Sequence, residues 1–383
     1  MTRSIETAAF LLGNRYLPPL AVTRAAGAFS DRGVDHIGFA HQLGNFVPDQ
    51  LWTPEHTPVA KTLPDPDSIN DAFMSAAYTV GALGDASVTI NTDAIRMGPA
   101  HLIQSMMTLA HMTEGKALFN IGGGEIKQLN PFGWKRSEGL KRFEDLMNLF
   151  STFWDSDGPI SYQGHIWNFD KAFLGGAKPY KPRIHAMGGG PRLMDLATTF
   201  CDGFTSAVPC VWPTAQHAAD GIDTLRADLV RKDRDPDEFG IFIQAVTLIH
   251  EDEEVLARAM ENPILRWIAA MWGRIHPTTR WEESGLNSPV PAEWSYHLHF
   301  RPHDTDDEWL DEVLSKSTPE HVRQGFLCGT PQQVAEMLAE YVEAGATIVS
   351  ALDFLPLVLD PHDRGTLGRI SECMSRVKEL TIG

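Results

Sequence analysis

The amino-acid sequence predicts an α/β fold, namely a (β/α)8 barrel with insertions at the C-terminal mouth of the barrel. Short apolar segments of strand length alternate with helical segments along most of the chain, and about eight such strands can be counted. This alternation is typical of βαβ units, and eight units favour a closed barrel over an open doubly wound sheet. The length of 383 residues fits a single domain over residues 1–383, because barrels with insertions often exceed about 250 residues.

Proline and glycine mark several of the predicted helix boundaries. Gly33 ends the first helix, whereas Pro99 and Pro331 open later helices at a position where the missing N–H group costs little. The helix that begins at Gly139 is amphipathic, with large apolar side chains along one stripe. The predicted strands are residues 8–12, 36–39, 87–90, 117–121, 183–187, 203–205, 240–249 and 347–351. The predicted helices are residues 18–32, 67–83, 99–112, 139–150, 192–199, 213–232, 331–344 and 368–380.

Two stretches interrupt the alternation. Residues 155–181 show no helical period, and an insertion at about residues 267–325 is rich in tryptophan and histidine. Long insertions at the C-terminal ends of barrel strands shape substrate pockets, but the tryptophans could equally pack the insertion's own core or a subunit interface. The aromatic and histidine residues of the insertion are Trp267, Trp272, His276, Trp281, Trp294, His297, His299, His303 and Trp309.

Composition and charge exclude several classes of function. The formal net charge is -18, which disfavours nucleic acid and anionic membranes as partners, so any anionic ligand must be held by local donors. The four cysteines have no CxxC spacing, which predicts neither a zinc site nor a disulfide framework and fits a reducing cytoplasm. We find no signal-peptide pattern and no apolar run of the roughly 18 residues that a membrane helix needs. We therefore expect a cytoplasmic protein.

The segment 117–125 ends a buried strand in three glycines and a carboxylate. Gly123 and Gly124 leave the backbone open to a flat ligand, and Glu125 would point at that ligand. A carboxyl group enclosed beside a ring system would have a raised pKa and would donate a proton. The alternative is a flexible loop with a solvated acid, since a glycine triplet alone is a weak signal.

A second glycine triplet, Gly188 to Gly190, lies between a strand and a helix that Pro191 can begin. Free backbone N–H groups, a helix N-terminus and the side chain of Arg192 together predict an anion site, most simply for phosphate. Three basic residues just upstream would extend the positive patch, namely Lys178, Lys181 and Arg183. The alternative is a glycine-rich turn with scattered surface bases.

Further polar residues follow the second and third strands. His41 comes directly after the second strand, where an imidazole suits acid or base catalysis near neutral pH, although a lone histidine is more often structural. Asp93 could orient a loop or cap the next helix. The histidines of the insertion lack acids or cysteines at ligand spacing, so we predict no metal site. The C-terminal ends of barrel strands share one mouth, and these residues should therefore converge there.

The order of these motifs resembles that of the luciferase-like flavin and deazaflavin oxidoreductases, and more narrowly their branch that depends on coenzyme F420. The resemblance covers most of the chain and becomes weak between residues 267 and 324. The motifs are moderately specific together and weak individually. They are Thr92-Asp93-Ala94 with Arg96 and Pro99-Ala100; residues 120–125 with Pro131-Phe132-Gly133-Trp134; residues 188–192 with Cys201-Asp202-Gly203-Phe204; and residues 326–331.

This resemblance implies a TIM barrel that holds a deazaflavin at its C-terminal mouth. It implies that Glu125 lies near the pyrimidine edge of the ring and that His41 faces the substrate. It also implies a non-proline cis peptide bond between Thr89 and Ile90, behind the ring. The cofactor-binding residues that it implies are Thr89, Ile90, Thr92, Asp93, Gly123, Gly124, Glu125, Gly188, Gly189, Gly190 and Arg192.

The sequence departs from the family pattern at two places. The family often has an asparagine shortly after the glutamate, whereas Ile126 to Leu129 follow here, which puts that ring contact in doubt. Ala40 precedes His41 where an aspartate is common in the F420 branch, and Asp93 is one candidate to replace that charge.

The resemblance therefore implies an F420-dependent oxidoreductase that transfers a hydride between the deazaflavin C5 and a carbonyl or alcohol carbon. The first alternative is an FMN-dependent monooxygenase of the same superfamily that uses oxygen. The second is a catalytically silent barrel that binds a cofactor or a partner. The tryptophan-rich insertion suggests a small-molecule substrate that is bulky and apolar, and the family suggests a homodimer.

Overall fold

Eight parallel strands close into a barrel in the computed structural model, which describes residues 5–275, 280–360 and 362–381. His276 lies outside the described residues. The barrel order is β1, β2, β3, β4, β7, β8, β9, β11, and β11 pairs again with β1. The strands are β1 (Glu6–Leu11), β2 (His36–Ala40), β3 (Ser87–Asp93), β4 (Leu118–Gly122), β5 (Ile160–Gln163), β6 (Asn168–Ala172), β7 (Arg183–Met187), β8 (Gly203–Val208), β9 (Gly240–Ile249), β10 (Leu327–Gly329) and β11 (Ile348–Asp353).

The predicted (β/α)8 barrel is confirmed, and each of the eight predicted strands is present. Strands β3 and β8 run three residues beyond their predicted ends, because the residues there still pair with neighbouring strands; Thr92, for example, pairs with Ile121. The helices are α1 (Pro19–Ser30), α2 (Ala72–Thr79), α3 (Pro99–Met112), α4 (Ile126–Leu129), α5 (Gly139–Asp155), α6 (Pro191–Phe200), α7 (Ala215–Arg231), α8 (Glu253–Met260), α9 (Pro263–Trp272), α10 (Arg280–Glu283), α11 (Tyr296–His299), α12 (Asp307–Lys316), α13 (Pro319–Gly325), α14 (Pro331–Glu343) and α15 (Thr366–Thr381).

The strands bury two different surfaces. Their outward side chains, such as Ile37, Ile90 and Phe119, pack against the surrounding helices in the largest apolar core. Inside the barrel, part of the lumen is filled by a small apolar cluster that includes Leu118 and Phe242. Two residues further along β4, Asn120 begins a hydrogen-bonded polar network that fills the lumen toward the strand ends. This network consists of Thr89, Asn91, Asn120, Thr205 and Gln244.

The two irregular stretches have structures of their own. The first contains the antiparallel hairpin of β5 and β6. The second lies between β9 and β10 and forms a separate apolar core with residues 47 and 51 of the loop after β2. Trp267 and Trp281 are fully buried in the packing of this insertion, whereas Trp272 is only partly buried. No helix in the described part of the chain combines the length and apolarity needed to cross a membrane.

Asp353, at the end of β11, is partly buried, and its carboxylate faces the helices rather than the lumen, with Oδ2 out of contact with solvent. Its Oδ1 accepts hydrogen bonds from the backbone of Ile249 at 3.2 Å and Leu355 at 3.3 Å. Its Oδ2 has no hydrogen-bond partner among the described residues. Burial raises the pKa of Asp353 to about 7, because the charged form loses water that the protein does not replace.

We predict that Asp353→Asn stabilises the protein at pH 8 and has a smaller effect near pH 5. The unfolded chain ionises this carboxyl group near pH 4, whereas the folded chain keeps the proton to about pH 7. Stability is therefore lost as the pH rises through this window, and the loss at pH 8 is on the order of 2–4 kcal/mol. Urea unfolding at both pH values measures the difference. The exposed Asp311→Asn serves as the control, and equal effects of Asp353→Asn at the two pH values would contradict the prediction.

Candidate active site at the barrel mouth

The structure brings the candidate residues from three strand ends together. His41 follows β2, Asp93 ends β3, and Glu125 comes three residues after β4. Arg96 connects all three, because its guanidinium donates to Asp93 Oδ2, to the carbonyl oxygen of His41 and, at 2.9 Å, to Oε1 of Gln128. Gln128 in turn donates to Oε2 of Glu125 at 3.0 Å. The predicted convergence of these residues is therefore observed.

His41 is buried between groups that fix its orientation. Its Nδ1 lies 2.9 Å from the Thr92 hydroxyl, and its Nε2 lies 3.5 Å from the carboxylate of Asp71. The ring packs edge-on against Phe73. The hydrogen bond from His41 lowers the pKa of Asp71. Asp71, which also caps helix α2, is thus the acid beside the histidine.

Asp93 does not take the place of an acid beside His41, so that expectation was wrong. Its Oδ1 accepts from the backbone N–H groups of Ile95 and Arg96 at 2.8 and 3.0 Å, and its Oδ2 pairs with the Arg96 side chain. These bonds order the loop between β3 and α3. The alternative role of Asp93, the orientation of a loop, is the one that the structure shows.

Glu125 is ionised more easily than the sequence analysis expected. Desolvation raises its pKa, but the charge of Lys127, hydrogen bonding and the charge of Arg96 lower it, and the net pKa lies below the usual value. The nearest charge is the ammonium group of Lys127, 3.5 Å from Oε2. The expectation of a raised pKa and a proton-donating carboxyl group was therefore wrong, and Glu125 is an anionic hydrogen-bond acceptor.

Lys127 is a buried cation that the sequence analysis treated only as a departure from the family. Its Nζ donates to the carbonyl oxygen of Gly44 at 2.6 Å and lies 4.3 Å from the centre of the Phe46 ring. Burial lowers the pKa of Lys127 to about 8, and Glu125 partly opposes this shift. Lys127 thus connects the loop after β2 to the carboxylate after β4.

The insertion contributes an aromatic wall to the same site. Phe46 stacks on Trp272 with ring centres 5.2 Å apart, and Tyr296 and Phe354 lie 6.1 and 5.8 Å from Trp272. The buried hydroxyl of Tyr296 faces Glu125 but has no hydrogen bond of ordinary geometry in the described structure. Burial and the charge of Glu125 raise the pKa of Tyr296 well above its usual value.

The glycines at the two strand ends differ in whether packing leaves room for a side chain. Gly124 has a φ of 82°, and a Cβ there would lie 2.7 Å from Leu129. A Cβ on Gly188 or Gly189 would lie 2.7 Å from Leu193 or 2.3 Å from Val211. Packing therefore explains these three glycines without a ligand.

Gly190 differs because a Cβ there would meet no atom within 4 Å. Its φ and ψ of -82° and 146° suit any residue, and it precedes helix α6. The open side of Gly190 thus leaves room for a ligand at a helix N-terminus.

The basic residues around the second triplet are mostly engaged elsewhere. Arg192 pairs with Asp195 at 2.6 Å and Glu144 at 3.0 Å. Lys178 donates to three carbonyl oxygens near the C-terminal end of α5. Arg183 begins β7 at the opposite end of the barrel and lies 3.4 Å from Glu6. The predicted extension of a positive patch by Lys178 and Arg183 was therefore wrong.

Comparison with known proteins identifies the family. A sequence profile described as luciferase-like monooxygenase matches residues 49–347. The chain belongs to the luciferase-like monooxygenase family. A similar relative is the phthiodiolone/phenolphthiodiolone dimycocerosates ketoreductase of Mycobacterium kansasii, which is 23% identical over 342 residues, 87% of this chain and 90% of the relative. The 5,10-methylenetetrahydromethanopterin reductase of Archaeoglobus fulgidus is 24% identical over 291 residues, 74% of this chain and 82% of the relative.

Solved structures superimpose on nearly the whole chain. An F420-dependent secondary alcohol dehydrogenase in complex with an F420-acetone adduct aligns with a TM-score of 0.72 at 16% identity, covering 98% of this chain and 99% of the other. A long-chain alkane monooxygenase aligns with a TM-score of 0.66 at 15% identity, covering 99% and 91%. These superpositions confirm the barrel fold.

The cis peptide bond that the luciferase-like resemblance implied is absent. Thr89 and Ile90 are joined by a trans bond, and the cis bond in the described chain is Val208–Pro209. Both residues pair on each side within β3, so the strand is regular at this point. The Thr89 side chain belongs to the lumen network and that of Ile90 to the outer core, so Ile90 could meet a ligand only through its backbone.

Several residues of this luciferase-like site escaped the sequence analysis. The sequence places Asp71 in a predicted helix, Tyr296 in the insertion and Lys127 in a departure from the family pattern, and none of these patterns indicates a site residue. Arg96 was noted only as part of a motif. One feature of the sequence could have indicated this site, namely that Lys127 and Gln128 closely follow Glu125. A buried helical turn there would place both side chains near the Glu125 carboxylate.

We predict that Lys127→Met raises the pKa of Glu125. The mutation removes the largest effect that lowers this pKa, while the burial that raises it remains. Infrared titration of the carboxyl group, with Glu125→Gln as the reference for subtraction, measures the change. The exposed Lys135→Met is the matched control, and an unchanged titration in Lys127→Met would show that Lys127 does not set the ionisation of Glu125.

Proposed function

We propose that this protein is an F420-dependent oxidoreductase that transfers a hydride between the cofactor and a carbonyl or alcohol carbon of a small molecule. The observation that carries the proposal is the meeting of His41 and Glu125 at one barrel mouth, where Arg96 and Gln128 connect them. The names of two relatives and of one structural neighbour support it, because they describe a ketoreductase, a methylenetetrahydromethanopterin reductase and an F420-dependent alcohol dehydrogenase.

The residues at the mouth fit a deazaflavin. Glu125 and the Tyr296 hydroxyl that faces it suit the polar edge of a ring. Gly190 leaves room beside a helix N-terminus, where backbone N–H groups favour a phosphate. A bound deazaflavin supplies the carbon that gives or receives the hydride. The chain itself binds, orients and excludes water.

His41 is the residue proposed to move the substrate's proton. The Thr92 hydroxyl at Nδ1 and the Asp71 carboxylate near Nε2 hold the orientation of the imidazole. A carbonyl reduced by hydride needs a proton on its oxygen, and an alcohol that is oxidised must lose one. Glu125 cannot share this role, since its depressed pKa keeps it charged. It would instead accept N–H hydrogen bonds from the ring.

The aromatic wall supports a bulky, apolar substrate. Phe46 and Trp272 are partly exposed at the mouth, and Phe354 packs beside them. Such surfaces favour apolar groups over polar ones, because apolar contact removes water from both partners. We also propose a homodimer, supported by the exposed apolar side chains of Met74 and Tyr78 on α2, which are 76% and 60% exposed.

We predict that the purified protein binds F420 more tightly than FMN, as measured by separate fluorescence titrations of the apo protein. A preference for FMN would favour an FMN-dependent monooxygenase, which the family description and the alkane monooxygenase structure make the second candidate. Oxygen uptake in the presence of a flavin reductase would then be the next measurement. Binding of neither cofactor would contradict both functions.

We predict that His41→Ala lowers the turnover of a ketone or alcohol substrate by roughly 10²- to 10⁴-fold, because the proton at the substrate oxygen loses its carrier. F420 binding should change little, since no cofactor contact is assigned to this side chain. Steady-state rates and F420 titration separate the two effects. The exposed His101→Ala is the control, and full turnover in His41→Ala would remove His41 from the mechanism.

We predict that Gly190→Ala weakens F420 binding by roughly tenfold, the loss that about 1.4 kcal/mol of steric cost produces. Thermal stability should not fall, because the backbone conformation accepts alanine. Gly98→Ala is a matched control: Gly98 also precedes a helix that begins with proline, with φ and ψ of -63° and 147° and no atom near its Cβ position. Equal binding by the two variants would place the cofactor away from Gly190.

A further inference from the structure

Arg136 is a cation at the mouth that the protein leaves without a partner. Its Nε is buried and has no acceptor in the described structure, and neither a hydrogen bond nor an ion pair engages its guanidinium among those residues. In a chain with a net charge of -18, an unpaired arginine is unexpected. A buried N–H group without an acceptor is costly, so its presence points to an acceptor that arrives with a ligand.

The carboxylates near Arg136 are engaged with other groups. Burial lowers the pKa of Arg136 and the negative charges of Glu125 and Asp93 oppose this shift, yet neither carboxylate lies within ion-pairing distance of its guanidinium. Asp93 is held by Arg96, and Glu125 by Lys127 and Gln128. The acceptor for Arg136 is therefore not one of these acids.

The position of Arg136 shows which strand end of the mouth it lies near. Its Nη2 lies 3.6 Å from the point where a Cβ on Gly123 would be. Gly122 pairs with Met187 across β4 and β7, so Gly123 and Gly188 leave neighbouring strands side by side. Arg136 thus lies beside Gly123, one strand away from the second glycine triplet, where backbone N–H groups favour a phosphate.

We propose that Arg136 binds the phosphate ester of the cofactor side chain, in the role that the sequence analysis gave to Arg192. Arg192 is 55% exposed and already pairs with two carboxylates, whereas Arg136 has its donors free. A guanidinium matches the geometry of phosphate oxygens and forms charge-assisted hydrogen bonds with them. This proposal rests on the proposed function, because it assumes that a phosphate-bearing deazaflavin or flavin binds at this mouth.

The test compares two probes, of which only F420 carries the phosphodiester group and the acidic tail joined through it. F420 and the corresponding deazaflavin alcohol, which ends at the ribityl chain, are titrated by fluorescence against the wild-type chain, Arg136→Met and Arg136→Lys. We expect Arg136→Met to bind F420 roughly 10- to 100-fold more weakly and the alcohol equally well. Arg136→Lys should recover part of the loss. Arg192→Met should lose less affinity than Arg136→Met, and the exposed Lys135→Met should lose none.

Three results would overturn the assignment. If Arg136→Met weakens both probes equally, Arg136 contacts the ring or supports the fold; thermal unfolding of the variant tells these apart. If neither probe is affected, Arg136 does not contact the cofactor, while the proposed function stands. If the wild-type chain binds neither probe, the proposed function fails. The comparison is then repeated with FMN and riboflavin. The assignment to Arg136 is also wrong if the chain binds neither of these, or if Arg136→Met changes the affinity for both equally.

Discussion

The hydrogen bonds of Arg96 are the constraint on which the geometry of the mouth depends. One guanidinium joins the end of β3, the backbone after β2 and helix α4 after β4. These three segments are far apart in sequence and are otherwise loops, which would be mobile without such bonds. Because the Arg96 side chain is only 4% exposed, its hydrogen bonds form away from competing water. His41 and Glu125 therefore lie in a fixed relation to each other before any ligand binds.

The mouth concentrates positive charge within an acidic protein. Arg96, Lys127 and Arg136 equal in number the acids Asp71, Asp93 and Glu125 here, although acids predominate over the whole chain. Local charge acts more strongly here than net charge, because buried groups are screened less than surface groups. An anionic cofactor can thus bind to a chain whose overall charge would repel it.

The fold was predictable because each barrel strand must bury apolar side chains, which leaves short apolar runs between glycines and prolines. The end of β3 was missed because its polar residues from Asn91 to Asp93 pair as strand, and three further residues of β8 pair in the same way. Within the site, the positions of His41 and Glu125 followed from the rule that strand ends share one face. The contact of Asp71 with His41 and that of Tyr296 with Glu125 did not, because loops of unknown path bring them together. The low pKa of Glu125 depends on such contacts and could not be predicted from its neighbours in sequence.

The insertion packs directly on the segment that carries Glu125. Helix α11 of the insertion packs on α4, the turn that carries Lys127 and Gln128, and Tyr296 faces Glu125 from this position. Trp272 of the same insertion stacks on Phe46, whose ring also covers the ammonium group of Lys127. A change that moves the insertion must therefore alter the surroundings of Glu125 as well as the aromatic wall. In this barrel the shape of the aromatic wall and the ionisation of Glu125 cannot be changed independently.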